Sequence, residues 1–286
     1  GERTELPVPL GYFLIGAGLA VALSFVFISF LVKIRPEASY LRFNLIGPGW
    51  SKAALTSPIA LLPVKLLSVL LLGLVIATGF VGESNSLLNF SPTFVWIIWW
   101  VGMAIAVAII GNIWALTNPW KILFTWAESL YRVIRPDREL SLGKEYPAKY
   151  GIWPALVLFV LYTWVQDAYP NSHVPTQIAI MVVVYSVITL GGMAIFGKHQ
   201  WLKKGEAFSV VFGLLSRFSI TEVRVIGRDT CQACSTECQD LEGICVDCYE
   251  CFEQAKTREI NLRPPAIGLG RNEPVTNDVL ALVVLM

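Results

Sequence analysis

The 286 residues are 55% hydrophobic and 15% charged, with 22 Lys and Arg against 21 Asp and Glu, whereas an ordinary soluble domain carries about 25% charged residues. That balance excludes a typical soluble globular domain, and a net charge near zero supplies no basic field for nucleic acid. The charges sit in blocks between apolar runs, which is the pattern of a polytopic membrane protein.

The chain opens on the polar "GERTELP" without a methionine, as a segment left by signal-peptide cleavage would, so residues 1–11 read as an exported tail. Five apolar runs follow at 12–32, 59–81, 94–116, 151–168 and 176–196, each at or near the roughly 20 residues that a bilayer core demands. Together they predict a five-span transmembrane domain over 12–196. The connections after the first, third and fifth runs hold the basic residues, among them Lys33, Arg35, Lys121, Arg132 and Lys198, whereas "GESNSLLNFSP" and "YPNSHVP" have no Lys or Arg. By the positive-inside rule the N-terminus lies outside and the basic segments lie in the cytoplasm of a plasma membrane. Trp96, Trp99, Trp100, Trp114, Trp120, Trp153 and Trp164 fall near the ends of these runs, where an interfacial aromatic belt is expected.

After the fifth run, residues 197–222 predict an amphipathic helix on the cytoplasmic interface. Phe208, Val211, Phe212, Leu215 and Phe218 share one face, which suits either packing on the spans or docking of a partner subunit. Residues 223–270 contain the cysteines, and 271–286 end in the apolar "VLALVVLM". That run is too short to cross a bilayer and reads as the start of a sixth span in a longer natural chain.

"GERTELPVPL", "WALTNPWKIL" (114–123) and "KKGEAFSVVFGLLSRFS" (203–219) together resemble a bacterial family of polytopic membrane proteins commonly called fenitrothion hydrolase. The resemblance implies a helical membrane architecture of the bacterial inner membrane and, through the family name, hydrolysis of organophosphate triesters. The residues themselves give that chemistry little support. A metal-assisted hydrolase needs a cluster of His and carboxylate ligands, and the chain has two histidines, His173 and His199, on opposite sides of the fifth span. Glu206 and Asn118 are the conceivable polar participants, although a helix start for Glu206 and a turn for Asn118 account for both.

All six cysteines lie in "CQACSTECQDLEGICVDCYEC": Cys231, Cys234, Cys238, Cys245, Cys248 and Cys251. In a reducing cytoplasm this spacing favours metal over disulfides; on the other face of the membrane a disulfide knot would lead. Cys231/Cys234 with Cys248/Cys251 form two C-x2-C hooks like a zinc ribbon. "CVDCYEC" resembles three ligands of a bacterial ferredoxin, but the following x3-Cys-Pro is missing. Iron–sulfur and zinc therefore both remain open, and Glu237, Asp240, Glu242, Asp247 and Glu250 read as a solvated loop surface. No pair of histidines is placed to hold a transmembrane haem, and no span carries the paired ionisable residues of a transporter pathway.

The expected molecule is thus an all-α polytopic protein, with five spans and the start of a sixth, carrying a cytoplasmic cysteine-coordinated module. Its expected role is that of a subunit in a membrane assembly, structural or electron-conducting, whose partners are the lipid bilayer and other membrane subunits and not nucleic acid.

Overall fold

The computed structural model describes residues 40–47, 54–226, 239, 244–270 and 276–285, with scattered helical positions between 11 and 26. Four helices among the described residues are long and apolar enough to cross a membrane. They are α1 (Pro58–Val81), α2 (Phe90–Ile109), α4 (Trp153–Asp167, with a short turn before it from Ala148) and α5 (Pro175–Phe196). The expected first span lies largely outside the described residues. Outward positions such as Leu70 and Val187 are each 67% exposed, and an apolar surface of this kind suits a lipid environment.

Local chemistry sets the helix starts. Proline occupies the first turn of α1, α4 and α5, where its missing N–H is harmless and its fixed φ is already helical. The run expected to continue to 116 stops at Ile109, because the chain turns at Gly111 with φ 151°, a conformation open to glycine. A single helical turn, Trp114–Thr117, then leads into α3 (Pro119–Ile134). Asn118 caps α3, its side chain accepting the Lys121 N–H at 3.1 Å.

Within α2 the stretch Phe94–Val101 is π-helical. Its wider turn brings Trp96, Trp99 and Trp100 inward together, and with Trp114 and Trp120 they join the main core. The expected belt is corrected accordingly: Trp153 and Trp164 are half-exposed, whereas Trp96, Trp114 and Trp120 are buried. Edge-on contacts link Trp99 to Phe208 (4.6 Å between ring centroids) and Trp100 to Tyr162 (5.3 Å), the geometry that aromatic quadrupoles favour.

The all-α expectation holds only in part, since a four-stranded antiparallel sheet closes one end of the bundle. Its order is β1-β4-β2-β3, from β1 (Phe43–Asn44), β2 (Thr221–Val225), β3 (Cys245–Val246) and β4 (Arg258–Leu262). Strands β2 and β4 form the central ladder, from Thr221 opposite Leu262 to Val225 opposite Arg258. "TEVRV" and "REINL" alternate over only five residues each, a weak period-2 signal beside the cysteine pattern. Glu222 is buried in this sheet beside Arg263 (3.5 Å) and Arg224 (3.6 Å), and Arg263 also pairs with Asp247 at 3.0 Å. The Arg263 guanidinium reaches the carbonyls of Ser216 and Ser219 as well, tying the sheet to the helical part.

The last described helix, α9 (Asn277–Leu285), is fastened at its start. Asp278 accepts the Ile152 N–H at 2.7 Å, and Gly151, with φ 45°, leaves room for that carboxylate.

Candidate functional site

The segment expected as one interfacial helix over 197–222 is instead two short helices that fold back into the bundle. Gly197, with φ 83°, reverses the chain after α5. Helix α6 (Lys198–Lys204) then runs back along α5, and α7 (Ala207–Leu215) returns beside it. Trp201 seats this hairpin where Gly192 has no side chain, since a Cβ there would fall 2.2 Å from the indole. Phe208, Val211 and Phe212 are buried in the main core, so the face that suited a docking partner is filled by the protein's own spans, with Phe218 alone of the five half-exposed.

Glu206 stands at the apex of the hairpin and has no exposed surface. As the cap of α7 it accepts the N–H groups of Phe208 at 3.1 Å and Ser209 at 2.6 Å. Trp114 Nε1 (3.4 Å), Asn118 Nδ2 (3.3 Å) and the Tyr185 hydroxyl also donate to it. Two backbone and three side-chain donors, set at a positive helix end, replace water around the Glu206 side chain, which makes no ion pair among the described residues. Tyr185 lies eleven residues before the end of α5, about 16 Å along the helix, so the apex is deep in the bundle. The structure therefore brings Glu206 and Asn118 together: Glu206 starts a helix as expected, whereas Asn118, expected in a turn at the membrane surface, is a buried cap of α3.

Next to this cluster is a cavity of about 530 Å³ with an almost wholly apolar wall. Leu67, Leu71, Trp99, Trp114, Tyr162 and Tyr185 contribute to it. Sequence reasoning missed the cavity because its residues look like any other bilayer-spanning apolar side chains. The one available signal was the density of aromatic residues between 94 and 120.

The cysteine segment forms a second site. Cys245 on β3 and Cys251 on α8 (Tyr249–Gln254) are buried with Val225 and Ala255, while Cys248 and Phe252 pack against them. The sulfurs of Cys245 and Cys251 are 3.9 Å apart, well beyond the roughly 2.05 Å of a disulfide. Cys231, Cys234 and Cys238 lie outside the described residues. Among the described residues no three His, Cys, Asp or Glu side chains are gathered closely enough to hold a metal ion.

Helix α8 is fastened to the helical part by one ion pair and one polar contact. Glu253 pairs with Lys121 at 2.5 Å, and Glu250 lies 3.3 Å from Nδ1 of His199. Burial first, then the ammonium groups of Lys198 and Lys121, holds His199 down to about 4 against the Glu253 and Glu128 carboxylates, so near neutral pH it is an uncharged imidazole. Two acids expected on a solvated loop surface, Asp247 and Glu250, are thus structural contacts. Asp247 accepts the Val223 N–H at 3.1 Å as well as pairing with Arg263.

The two histidines flank α5, His173 before its 22 residues and His199 after them, a helix length of about 33 Å. They cannot share a metal. No protein family, curated relative or solved structure matches the chain.

Proposed function

We propose that the chain is an integral membrane subunit whose cysteine module binds a metal through thiolates and joins the membrane domain to a partner or to an electron path. The observation that carries this reading is the separation of Cys245 and Cys251. A tetrahedral ion with metal–sulfur bonds of about 2.3 Å places its thiolates about 3.8 Å apart, close to the 3.9 Å between these two sulfurs. A cubane cluster spreads its thiolates farther, because each binds its own iron. The geometry therefore favours a single-ion site, zinc-like in coordination, over the iron–sulfur alternative. Two more thiolates from Cys231, Cys234, Cys238 or Cys248 would complete it.

The surrounding residues fit such a role. Among the described residues the module's buried core is Val225, Cys245, Cys251 and Ala255, and metal binding supplies folding free energy to small thiolate-ligated domains. When bound, zinc would supply a fixed structural tie. The chain's own residues supply the attachment: the Lys121–Glu253 pair and the β2–β3 ladder hold the module against the helices.

The test is metal analysis of anaerobically purified protein. About one equivalent of zinc, lost on Cys245→Ser together with hydrogen-exchange protection of 245–254, is expected. Iron with labile sulfide would replace zinc by a cluster, and metal-free protein whose module remains protected would end the reading. The triester hydrolase suggested by the resemblance predicts turnover by the purified chain; the saturated hydrogen bonding of Glu206 leaves that residue poorly suited to act as a base.

A further inference from the structure

We propose that the end of the helical bundle where α5 stops binds the phosphate of an anionic phospholipid, with Lys149 and Lys204 as its pair of cations. The site is built on the loop that follows α3. Leu142 and Lys144 donate their N–H groups to the Ala194 and Ile195 carbonyls at 2.7 and 3.0 Å. The loop is thereby fixed at the last turn of α5, where a membrane-length helix reaches the headgroups. Tyr146 is held there from two sides: its hydroxyl donates to the Gly151 carbonyl at 3.0 Å, and its ring meets Phe196 edge-on at 5.3 Å. Phe196 in turn stacks on Trp201, so the tyrosine ring rests on the same seat that Gly192 provides for the hairpin.

Two ammonium groups lie over this aromatic base. Lys204 Nζ is 5.6 Å from the centre of the Tyr146 ring and Lys149 Nζ is 5.3 Å from that of Tyr150, with the two rings 6.4 Å apart. A cation–π contact positions an ammonium without neutralising it, and neither lysine makes an ion pair among the described residues. The nearby acids are Glu145, exposed on the same loop, and Asp278, whose oxygens are taken up by the N–H groups of Ile152 and Val279. Lys144 and Lys203 add two more exposed positive charges at this end, whereas residues 82–89 and 168–174 at the other end contain no Lys or Arg. Below the cations runs an apolar stripe. Trp153, Val157, Leu161 and Trp164 share a face of α4, and each is at least half exposed. The stripe begins three residues after Tyr150 and is about 16 Å long, roughly half of the 30 Å hydrocarbon core and so the depth of one leaflet. Cations at the headgroup level above an apolar face of that length match an anionic phospholipid. A soluble anion would leave the stripe unused, and a zwitterionic lipid would bring its own cation to the lysines.

The site is separate from the cysteine module and does not depend on metal. The test is native mass spectrometry of the full chain in detergent, titrated with dioleoyl-phosphatidylglycerol or dioleoyl-phosphatidylcholine. Phosphatidylglycerol should bind about tenfold more tightly. Lys149→Gln and Lys204→Gln should each weaken it about fivefold, the effect of one charge near a membrane surface, and leave phosphatidylcholine unchanged. Lys256→Gln, which removes an exposed lysine beyond α8, should change neither lipid. Neither Lys149 nor Lys204 is buried, so the lipid-free variants should unfold at the temperature of the unaltered chain, which separates a binding defect from a folding defect. Independently of any variant, phosphatidylglycerol with a photoreactive headgroup should crosslink to peptides covering 144–153. Equal affinity for the two lipids, an effect of Lys256→Gln as large as that of Lys149→Gln, or crosslinks confined to other peptides would each overturn the assignment. Displacement of the lipid by millimolar inorganic phosphate, or dihexanoyl-phosphatidylglycerol binding as tightly as the dioleoyl lipid, would overturn it in favour of a site for soluble phosphate.

Discussion

Glu206 and Glu222 both have no exposed surface, yet they are stabilised in opposite ways. Glu206, deep among the helices, is held by neutral donors and a helix N-terminus. Glu222, in the sheet, has two guanidinium groups near it and bonds to Tyr40 and Asn261. Burial still lifts Glu222 above the usual carboxylate range, with Asp247 adding to the effect, against the lowering influences of Tyr40, Arg263 and Asn261. The contrast follows from what each neighbourhood can supply. A lone cation deep in a helical bundle would itself need solvation, whereas dipoles from N–H and O–H groups do not. At the sheet, Arg263 can satisfy its donors on Glu222, Asp247 and two carbonyls at once.

The largest test of this contrast is Glu206→Ala. It leaves the donors of Tyr185, Trp114, Asn118 and the first turn of α7 without their acceptor, and should cost more than about 4 kcal/mol, seen as loss of the cooperative thermal transition in detergent. Glu206→Gln, which retains one acceptor oxygen, should cost about half as much. In the sheet, Arg263→Met should cost about 3 kcal/mol by leaving Glu222 and Asp247 without their shared cation. Combining it with Glu222→Gln should recover part of that loss in a double-mutant cycle. Simple additivity there would mean that the two side chains do not act as a pair.

Gly192→Ala probes the hairpin that carries Glu206. With a Cβ only 2.2 Å from the rigid Trp201 indole, overpacking should cost about 2 kcal/mol; an unchanged unfolding temperature would refute the close packing of α6 on α5.

A pH series sharpens the same comparison. Because the folded pKa of Glu222 lies above its unfolded value of 4.5, the folded state binds this proton more tightly. Its contribution is therefore greatest below pH 4.5 and declines as pH rises through the folded value, by at most about 1.4 kcal/mol per pH unit. Glu222→Gln should remove that slope from the unfolding of the sheet. The smallest effect belongs to Lys121→Ala. Its partner Glu253 is about half exposed, so less than about 1 kcal/mol is expected, measured as a modest rise in hydrogen exchange across α8.

Some of this could be read directly from the chain. Long apolar runs placed four membrane-length helices, three of them within a few residues and the one expected over 94–116 at Phe90–Ile109, because spanning hydrocarbon requires length and apolarity and little else. The helix start at Glu206 was also local, since a side-chain oxygen meets N–H groups only two or three residues away, while Asn118, read as a turn residue, caps α3. The partners of those caps were not legible. Asn118 and Glu206 are 88 positions apart, and nothing in either segment specifies the other.

The sequence by itself determined helices long and apolar enough to cross a membrane and thiols confined to one short segment. Tertiary structure decided where the apolar side chains point. In a bilayer both the lipid-facing and the inward faces of a helix are apolar, so periodicity does not separate them, and Trp99, Trp114 and Trp120 read as a belt although they line a cavity. It also decided that 198–215 folds back as a hairpin, through the fit of Trp201 against Gly192. The sheet depended on tertiary structure most of all, because β1 at Phe43 pairs with Leu262 across most of the chain. A two-residue strand has no period of its own, and only the ladder of its partner gives it one.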